Sequence, residues 1–322
     1  MAMIFDKIKK GLDTYHVVLR PDKDEPGWWA GAPSVTRGMD GTFYLAARMR
    51  DTKSPRGRRG YEIRILESTD GILFTKIASL SRDEAGLPGF ERPAILRDDQ
   101  TGKFKLYCCG EMADGWGICK LADVEHPSKF DARTIKPVLT ARKPRLNEKG
   151  AQDHHGTFGT QYKDPFIIII ENTFHMFVIG FDRIERAYHF TSDDGDHWTP
   201  SPATPILENT GWHNCFTRPA CLLPLGLGYQ LVYEGSSIDD SWYDPGYNIA
   251  TGLSYSLDLT MFSDLTPQKP FIVSSTPGKY QTWRYSHWLH VDGAIYVYFE
   301  AACPDDTNEL RVSVLKWNVL HP

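Results

Sequence analysis

The sequence predicts an all-β fold, a five-bladed β-propeller in which blades of about four antiparallel strands surround a central funnel. Three observations predict this fold. One strand pattern recurs five times, each copy is followed by a turn and a second apolar strand, and three copies share a polar hairpin. The 27 glycines and 21 prolines and the near absence of long stretches with helical periodicity also favour strands over helices.

The opening strand of each copy carries an X-Pro pair followed by apolar residues, and successive copies lie roughly 55–70 residues apart. A fifth copy lacks the proline. The five versions are Ala32-Pro33-Ser34-Val35, Arg92-Pro93-Ala94-Ile95, Asp164-Pro165-Phe166-Ile167, Arg218-Pro219-Ala220-Cys221 and Ser286-His287-Trp288-Leu289.

A tight turn and a second strand follow each opening strand. Glycine or asparagine in the turn supplies the positive φ that a short hairpin needs, as in Asp40-Gly41 and Asp292-Gly293. The third signal is the pattern Ser-x-Asp-[Gly/Leu]-x-x-aromatic, which begins at Ser68, Ser192 and Ser256. Because serine and aspartate side chains hydrogen-bond nearby turn backbone, we expect a structural role for Asp70, Asp194 and Asp258 rather than a catalytic one.

Five copies predict a single domain over residues 1–322, with blades at approximately 28–80, 88–140, 158–207, 212–265 and 283–318. The fifth copy ends without a fourth strand. We therefore expect the strand-like segment 14–20 to complete the last blade and close the ring, which would protect the sheet edges.

Composition limits the partners and the compartment. A formal net charge of -5 argues against nucleic acid as the main partner, and the sequence has no apolar run long enough for a membrane helix. The six cysteines show no C-x-x-C spacing, and the first twelve residues lack the features of a signal peptide. We expect reduced thiols and a cytoplasmic protein, while the oligomeric state stays open.

The first strands of a propeller line its channel, so residues beside the recurrent proline should meet in one funnel. Candidates on these strands and on the ends of the second strands include several carboxylates, arginines and a histidine, with tryptophans at the rim. The proposed catalytic residues are Asp164, Glu91 and Glu234, and the proposed substrate-binding residues are Arg48, Arg92, Arg218, His155, Trp212, Tyr285, His287 and Glu300. Carboxylate pairs with aromatic platforms suit cleavage of glycosidic bonds, so we expect a carbohydrate ligand.

The order X-Asp-Pro, then a "DG.YYL" strand, then "S.DG..W" resembles the five-bladed glycosidase superfamily over nearly the whole chain, from Trp28 to Trp317. This superfamily includes arabinanases, β-xylosidases, invertases, α-neoagarobiose hydrolases and mannoside phosphorylases. The Lys163-Asp164-Pro165-Phe166 strand is similar to the one that carries the pKa-modulating aspartate of arabinanase-like enzymes. His287 stands near where that family has a histidine beside a channel-bound calcium or water, and Glu91 belongs to a strand distantly similar to one of the mannoside phosphorylases.

Two departures mark this chain as a divergent member. The first-blade Asp-Pro of the arabinanase-like enzymes is Ala32-Pro33 here, and their fourth-blade Glu-Gly-Pro is Thr217-Arg218-Pro219. A glutamate occurs nearby on a second strand, at Glu234, and Glu300 holds the equivalent place in the fifth copy. We therefore expect Asp164 and Glu91 on the base or pKa-tuning side and Glu234 as the acid, with Glu300 as the alternative acid.

The remaining candidates each have more than one interpretation. Arg92 and Arg218 could bind an anionic group of the ligand or pair with funnel carboxylates. His287 could act as an acid, a metal ligand or a sugar contact. Adjacent histidines in a strand point to opposite faces, so a metal role for His154 and His155 is not favoured. We expect no required cofactor, although a calcium or other divalent ion in the channel is an option.

The leading hypothesis is a glycoside hydrolase. A phosphorylase, a non-catalytic glycan-binding or scaffold propeller, and a non-hydrolytic enzyme that reuses the funnel remain as alternatives.

Overall fold

The structure is a computed structural model that describes residues 2–55, 58–142, 160–182, 184–237, 250–274 and 282–316. Strands dominate it, and the all-β prediction is confirmed. The helices are α1 (Ala2–Leu12), the one-turn α2 (Arg82–Ala85) and the 3-10 turns Pro127–Lys129, Ala132–Thr134 and Gly211–His213. No helix in the described ranges is long and apolar enough to cross a membrane.

The strands form five antiparallel groups. In chain order they are β1 (His16–Leu19), β2 (Trp29–Arg37), β3 (Phe43–Arg50), β4 (Gly60–Ser68), β5 (Thr75–Ser81), β6 (Phe90–Arg97), β7 (Phe104–Met112), β8 (Gly115–Lys120), β9 (Lys136–Leu139), β10 (Gln161–Ile170), β11 (Thr173–Asp182), β12 (Ile184–Ser192), β13 (Thr199–Pro200), β14 (Phe216–Pro224), β15 (Tyr229–Ser236), β16 (Ala250–Ser256), β17 (Ser263–Asp264), β18 (Ile272–Val273), β19 (Trp283–Val291), β20 (Ala294–Ala302) and β21 (Asn308–Lys316). The groups are β2–β5, β6–β9, β10–β13, β14–β18, and β19–β21 with β1. Two single-residue parallel pairs, Trp29 with Asn308 and Glu185 with Phe216, join four of these groups into an eight-stranded and a nine-stranded sheet, and β6–β9 form a four-stranded sheet.

The N-terminal strand belongs to the last group. β1, the segment assigned by sequence to the last blade, pairs antiparallel with β21. The first strand of each group contacts the first strand of the next in chain order, and β19 contacts β2. Each of the five first strands therefore lies beside two others, although their residues lie far apart in sequence.

Apolar side chains fill the spaces between neighbouring groups. One cluster joins the first and second groups through residues such as Ile63, Ile95 and Leu106, and another joins the fifth and first through Leu45, Tyr298 and Val312. Similar clusters occupy the other boundaries. Since burial of apolar surface is the main driving force for folding, each group depends on its neighbours for stability.

The polar hairpins have the structural role that their sequence predicts. In the third group, the Ser192 Oγ accepts the Gly195 N–H at 2.9 Å, while the Asp194 Oδ1 accepts the N–H groups of Asp196 and His197 at 2.8 Å. The Tyr107 hydroxyl of the preceding group donates to the Gly195 carbonyl at 2.8 Å, and Tyr298 of the fifth group makes the same bond to Gly71 of the first. These hairpins therefore join neighbouring groups as well as neighbouring strands.

Candidate functional site

Each first strand breaks its pairing register at or next to the recurrent X-Pro pair, and the fifth, which lacks the proline, does so between Arg284 and His287. In three of them the residue at the break has a left-handed backbone, with φ of 50° at Ala32, 54° at Asp164 and 52° at Tyr285. A non-glycine residue with positive φ is uncommon, and bulges of this kind redirect side chains beside functional sites. The structure also corrects the sequence alignment of the fifth copy by one residue, because Tyr285, and not Ser286, is equivalent to Ala32.

Glu300 accepts more hydrogen bonds than the other carboxylates of the site and has no solvent exposure. It accepts the Nε and Nη2 of Arg284 at 3.1 and 2.8 Å, the Nδ2 of Asn308 at 2.7 Å and the backbone N–H of Ala32 at 3.0 Å. Burial pushes its pKa upward, but the charges of Arg284 and Arg48 outweigh burial and leave the pKa below its usual value. Glu300 therefore holds three elements together as an anion.

Gly31 is explained by this carboxylate. A Cβ atom at position 31 would overlap the side chain of Glu300. The first strand of the first group thus needs glycine at the position before the bulge because Glu300 occupies the space of a side chain. Arg284, which donates two hydrogen bonds to Glu300, is a site residue that the sequence did not predict. The one-residue error in the alignment of the fifth copy placed the predicted site at the three residues after it.

Two further arginine–carboxylate ion pairs lie on the first strands and their neighbours. Arg48 donates to Glu91 and lies 3.5 Å from Glu300, while Arg218 donates through its Nε to Glu185. Glu185 was not anticipated, because it lies on the third strand of its group and outside the recurrent pattern. Of the predicted catalytic carboxylates Glu91 is the most accessible, with 12% of its side chain exposed. Two of the predicted substrate-binding arginines, Arg48 and Arg218, thus pair with carboxylates.

Asp164 and Glu234 both accept a hydrogen bond from the same residue, Tyr285. The Tyr285 hydroxyl donates to the Oδ2 of Asp164 at 3.2 Å, and the Tyr285 backbone N–H donates to Glu234. Both carboxylates are buried, and neither has an arginine or lysine within ion-pair distance in the described part of the chain. They thus differ from Glu91, Glu185 and Glu300, each of which has a direct arginine partner.

The surroundings push the two pKa values in opposite directions. Burial raises the pKa of Glu234 to about 7, although Arg92, Arg218 and Arg284 oppose the rise. Burial also acts on Asp164, but the charges of Lys163, Arg48 and Arg218 outweigh it and lower the pKa of Asp164 below its usual value. Near neutral pH the site therefore holds one largely ionised carboxylate and one that is about half protonated.

Arg92 is a buried arginine near these carboxylates whose guanidinium lacks a carboxylate partner among the described residues. Its backbone N–H donates to the Oδ1 of Asp164 at 3.2 Å and its Nη2 donates to the Ala220 carbonyl at 2.7 Å. Its buried Nε has no hydrogen-bond partner among the described residues, and Arg92 makes no ion pair within them. A buried guanidinium without a carboxylate partner is costly, so Arg92 differs from the other site arginines.

Two other predicted residues, His287 and Trp212, have their contacts away from this pair. The Nδ1 of His287 accepts the Val35 N–H at 3.3 Å, and burial lowers the pKa of His287 to about 3, so the imidazole is neutral at ordinary pH. Trp212 stacks on Tyr233, whose side chain points to the opposite face of the strand from Glu234. His155 lies outside the described residues.

The described residues offer no evident metal site. They contain no group of three or more His, Cys, Asp or Glu side chains placed to hold a metal ion. His287, which marks the place of the calcium-associated histidine in the resemblance, has its Nδ1 occupied by a backbone donor. All six cysteines are free, and five of them are buried.

Comparison with known proteins identifies the fold. No family model matches the chain, and no curated protein matches it in sequence. Solved structures do match. A glycoside hydrolase superposes with a TM-score of 0.67 at 14% identity, covering 98% of this chain and 95% of that one. An α-L-arabinofuranosidase from Lactobacillus brevis gives 0.62 at 13% identity, covering 92% of each chain.

A third match, with a TM-score of 0.61, 16% identity and 93% coverage of each chain, comes from the GH130 family of mannoside phosphorylases, which contains glycoside hydrolases that target β-1,2 mannosidic linkages in Candida mannan. At these identities the likeness establishes the fold and not the reaction. The resemblance found in the sequence is confirmed at that level: the chain has the fold of the glycoside hydrolases and mannoside phosphorylases that it resembles.

Proposed function

We propose that this chain is a glycoside hydrolase, built as a single five-bladed β-propeller, that uses Glu234 as general acid and Asp164 as general base. The propeller proposal is supported by five strand groups whose first strands contact one another in order, with β19 beside β2. The last group takes its outer strand, β1, from the N-terminal end of the chain.

One observation carries the catalytic proposal. Asp164 and Glu234 are held by the same tyrosine, and their pKa values are pushed apart. Two carboxylates in one site with divergent pKa values are the arrangement that acid and base catalysis requires near neutral pH.

The proposed reaction assigns each proton. Glu234 in its protonated form donates to the glycosidic oxygen as the bond to the anomeric carbon breaks. Asp164, ionised, accepts a proton from the water that attacks the same carbon. The products are a reducing sugar and an alcohol, and the two carboxylates return to their starting states by exchange with solvent. Glu91, the most exposed of the three, would contact substrate hydroxyl groups while Arg48 balances its charge.

A phosphorylase is the second candidate, and Arg92 is the observation that favours it. Its guanidinium makes no ion pair in the described part of the chain, although the negative charges of Asp164 and Glu234 are close enough to interact with it electrostatically. Phosphate would supply the missing anion and would replace water as the nucleophile.

The test is a screen of aryl glycosides and oligosaccharides with and without inorganic phosphate. Wild type is compared with Asp164→Asn and with Asp194→Asn, a matched control at the hairpin aspartate outside the site. The hydrolase proposal predicts phosphate-independent turnover by wild type and Asp194→Asn, and a loss of about 10²-fold or more in Asp164→Asn. Turnover that requires phosphate would favour the phosphorylase. Sugar binding without turnover would favour a glycan-binding propeller, and the absence of both would contradict a carbohydrate function.

A further inference from the structure

We infer that Tyr285 is a positioning residue that fixes the two carboxylates relative to each other, with its hydroxyl holding Asp164 and its backbone N–H holding Glu234. This inference rests on the proposed function and adds a residue to it. Tyr285 is one of the substrate-binding residues predicted from the sequence, and in the structure its hydroxyl and its backbone N–H donate to carboxylates.

The backbone conformation of Tyr285 makes the double contact possible. Its φ of 52° lies in the left-handed region, which is unfavourable for a residue with a side chain. The strand register breaks between Arg284 and His287, so Tyr285 is left without a partner on the neighbouring strand. Its N–H is thereby free to donate to Glu234 instead of to the sheet.

Three arginine side chains lie close to the ring of Tyr285. The guanidinium carbons of Arg284, Arg48 and Arg92 lie 4.9, 5.3 and 5.8 Å from the ring centroid. Cations at this distance are attracted to an aromatic ring, and the buried surroundings strengthen the attraction. The tyrosine therefore brings the arginines of three strands, β3, β6 and β19, to the same place as the two carboxylates.

The hydroxyl and the N–H act on different carboxylates, so their effects can be separated. A hydroxyl that donates to an ionised carboxylate favours the ionised form and lowers its pKa. The charged groups around Asp164 are Lys163, Arg48, Arg218 and Arg92, with the neutral thiol of Cys109 also nearby. Those around Glu234 are Arg92, Arg218 and Arg284. The substitution Tyr285→Phe leaves all of these in place. It removes the donor to Asp164 and keeps the backbone donor to Glu234.

The experiment measures the pH dependence of kcat/KM for Tyr285→Phe with the aryl glycoside that wild type turns over best. We expect kcat to fall about 10- to 100-fold, as for loss of a hydrogen bond to a charged group, with a smaller change in KM. The acid limb, set by Asp164, should move to higher pH by about one unit, while the basic limb, set by Glu234, should stay in place.

Tyr298→Phe is the matched control. Tyr298 is also buried and also donates one hydrogen bond, to the Gly71 carbonyl at 2.8 Å, but it does so in a hairpin away from the site. A purely structural role for Tyr285 would give both variants the same unshifted pH profile. An unmoved acid limb in Tyr285→Phe would overturn the inference, as would a basic limb that moves by the same amount.

A second readout does not depend on activity. Carboxyl carbons of Asp and Glu labelled with ¹³C report their own titrations by NMR, with Asp164→Asn and Glu234→Gln used to assign the two signals. Tyr285→Phe should raise the pKa of Asp164 and leave that of Glu234 near 7. If wild type hydrolyses no glycoside, the proposed function fails, but this titration still supports or overturns the role of Tyr285.

Discussion

Replacing Glu300 by glutamine is expected to destabilise the fold by about 3–5 kcal/mol, the usual cost of removing one partner from a buried ion pair. The magnitude follows from its contacts. The Oε1 of Glu300 accepts two hydrogen bonds from Arg284, while its Oε2 accepts a backbone N–H and lies 3.5 Å from the Nη2 of a second arginine, Arg48. Glutamine keeps the shape of the side chain but leaves Arg284 and Arg48 without its charge in a site that excludes solvent.

The assay is equilibrium unfolding in urea at pH 7, with the slope checked to show that both states keep their compactness. Asp131→Asn serves as the control, because Asp131 pairs with Arg133 on the surface, where solvent screens the interaction and such pairs contribute little to stability. The pKa of Glu300 is lowered in the folded state, so its contribution is present above the unfolded pKa of about 4.3 and is lost as pH falls through the folded value. A loss of less than about 1 kcal/mol at pH 7 would refute the reasoning.

Three further predictions concern the site and the hairpins. Activity should fall as pH rises above about 7, because Glu234 loses the proton that it donates; a pH–rate profile that stays flat to pH 9 would contradict this. Gly31→Ala should unfold at lower urea concentration than wild type, and should also lower activity, because its Cβ displaces Glu300 from Arg284; full activity would show that this anchor is dispensable. Gly195→Ala should cost about 2–4 kcal/mol, since φ is +75° there and its Cβ would lie 2.5 Å from the Tyr107 hydroxyl; thermal unfolding measures the loss, and an unchanged Tm would contradict it.

Much of the fold could be predicted because the strand pattern is local and repeated. The X-Pro pairs mark the register breaks of four first strands, and the Ser-x-Asp sequences form the hairpins that they predict. The fifth copy lacks proline, and its alignment was wrong by one residue. That error hid Arg284, which binds the carboxylate of Glu300.

The site was harder to predict because its chemistry depends on pairing between strands that are far apart in sequence. The choice of Glu234 over Glu300 as the acid could not be made from the chain, since both follow apolar residues near the end of a second strand. In the structure, Arg284 sits opposite Glu300 in the same hairpin and neutralises it, whereas the residue opposite Glu234, Arg218, turns to Glu185. The partner that decides the protonation state comes from another strand, which sequence periodicity does not reveal.

The most direct test of the acid role of Glu234 is the dependence of Glu234→Gln on the leaving group. A general acid matters most when the departing oxygen is strongly basic, so glycosides of simple alcohols need it and dinitrophenyl glycosides need it little. We predict that Glu234→Gln lowers kcat/KM by about 10²–10⁴-fold for an alkyl glycoside and far less for the dinitrophenyl glycoside of the same sugar. Equal losses on the two substrates, or no loss on either, would contradict the assignment of Glu234 as the acid.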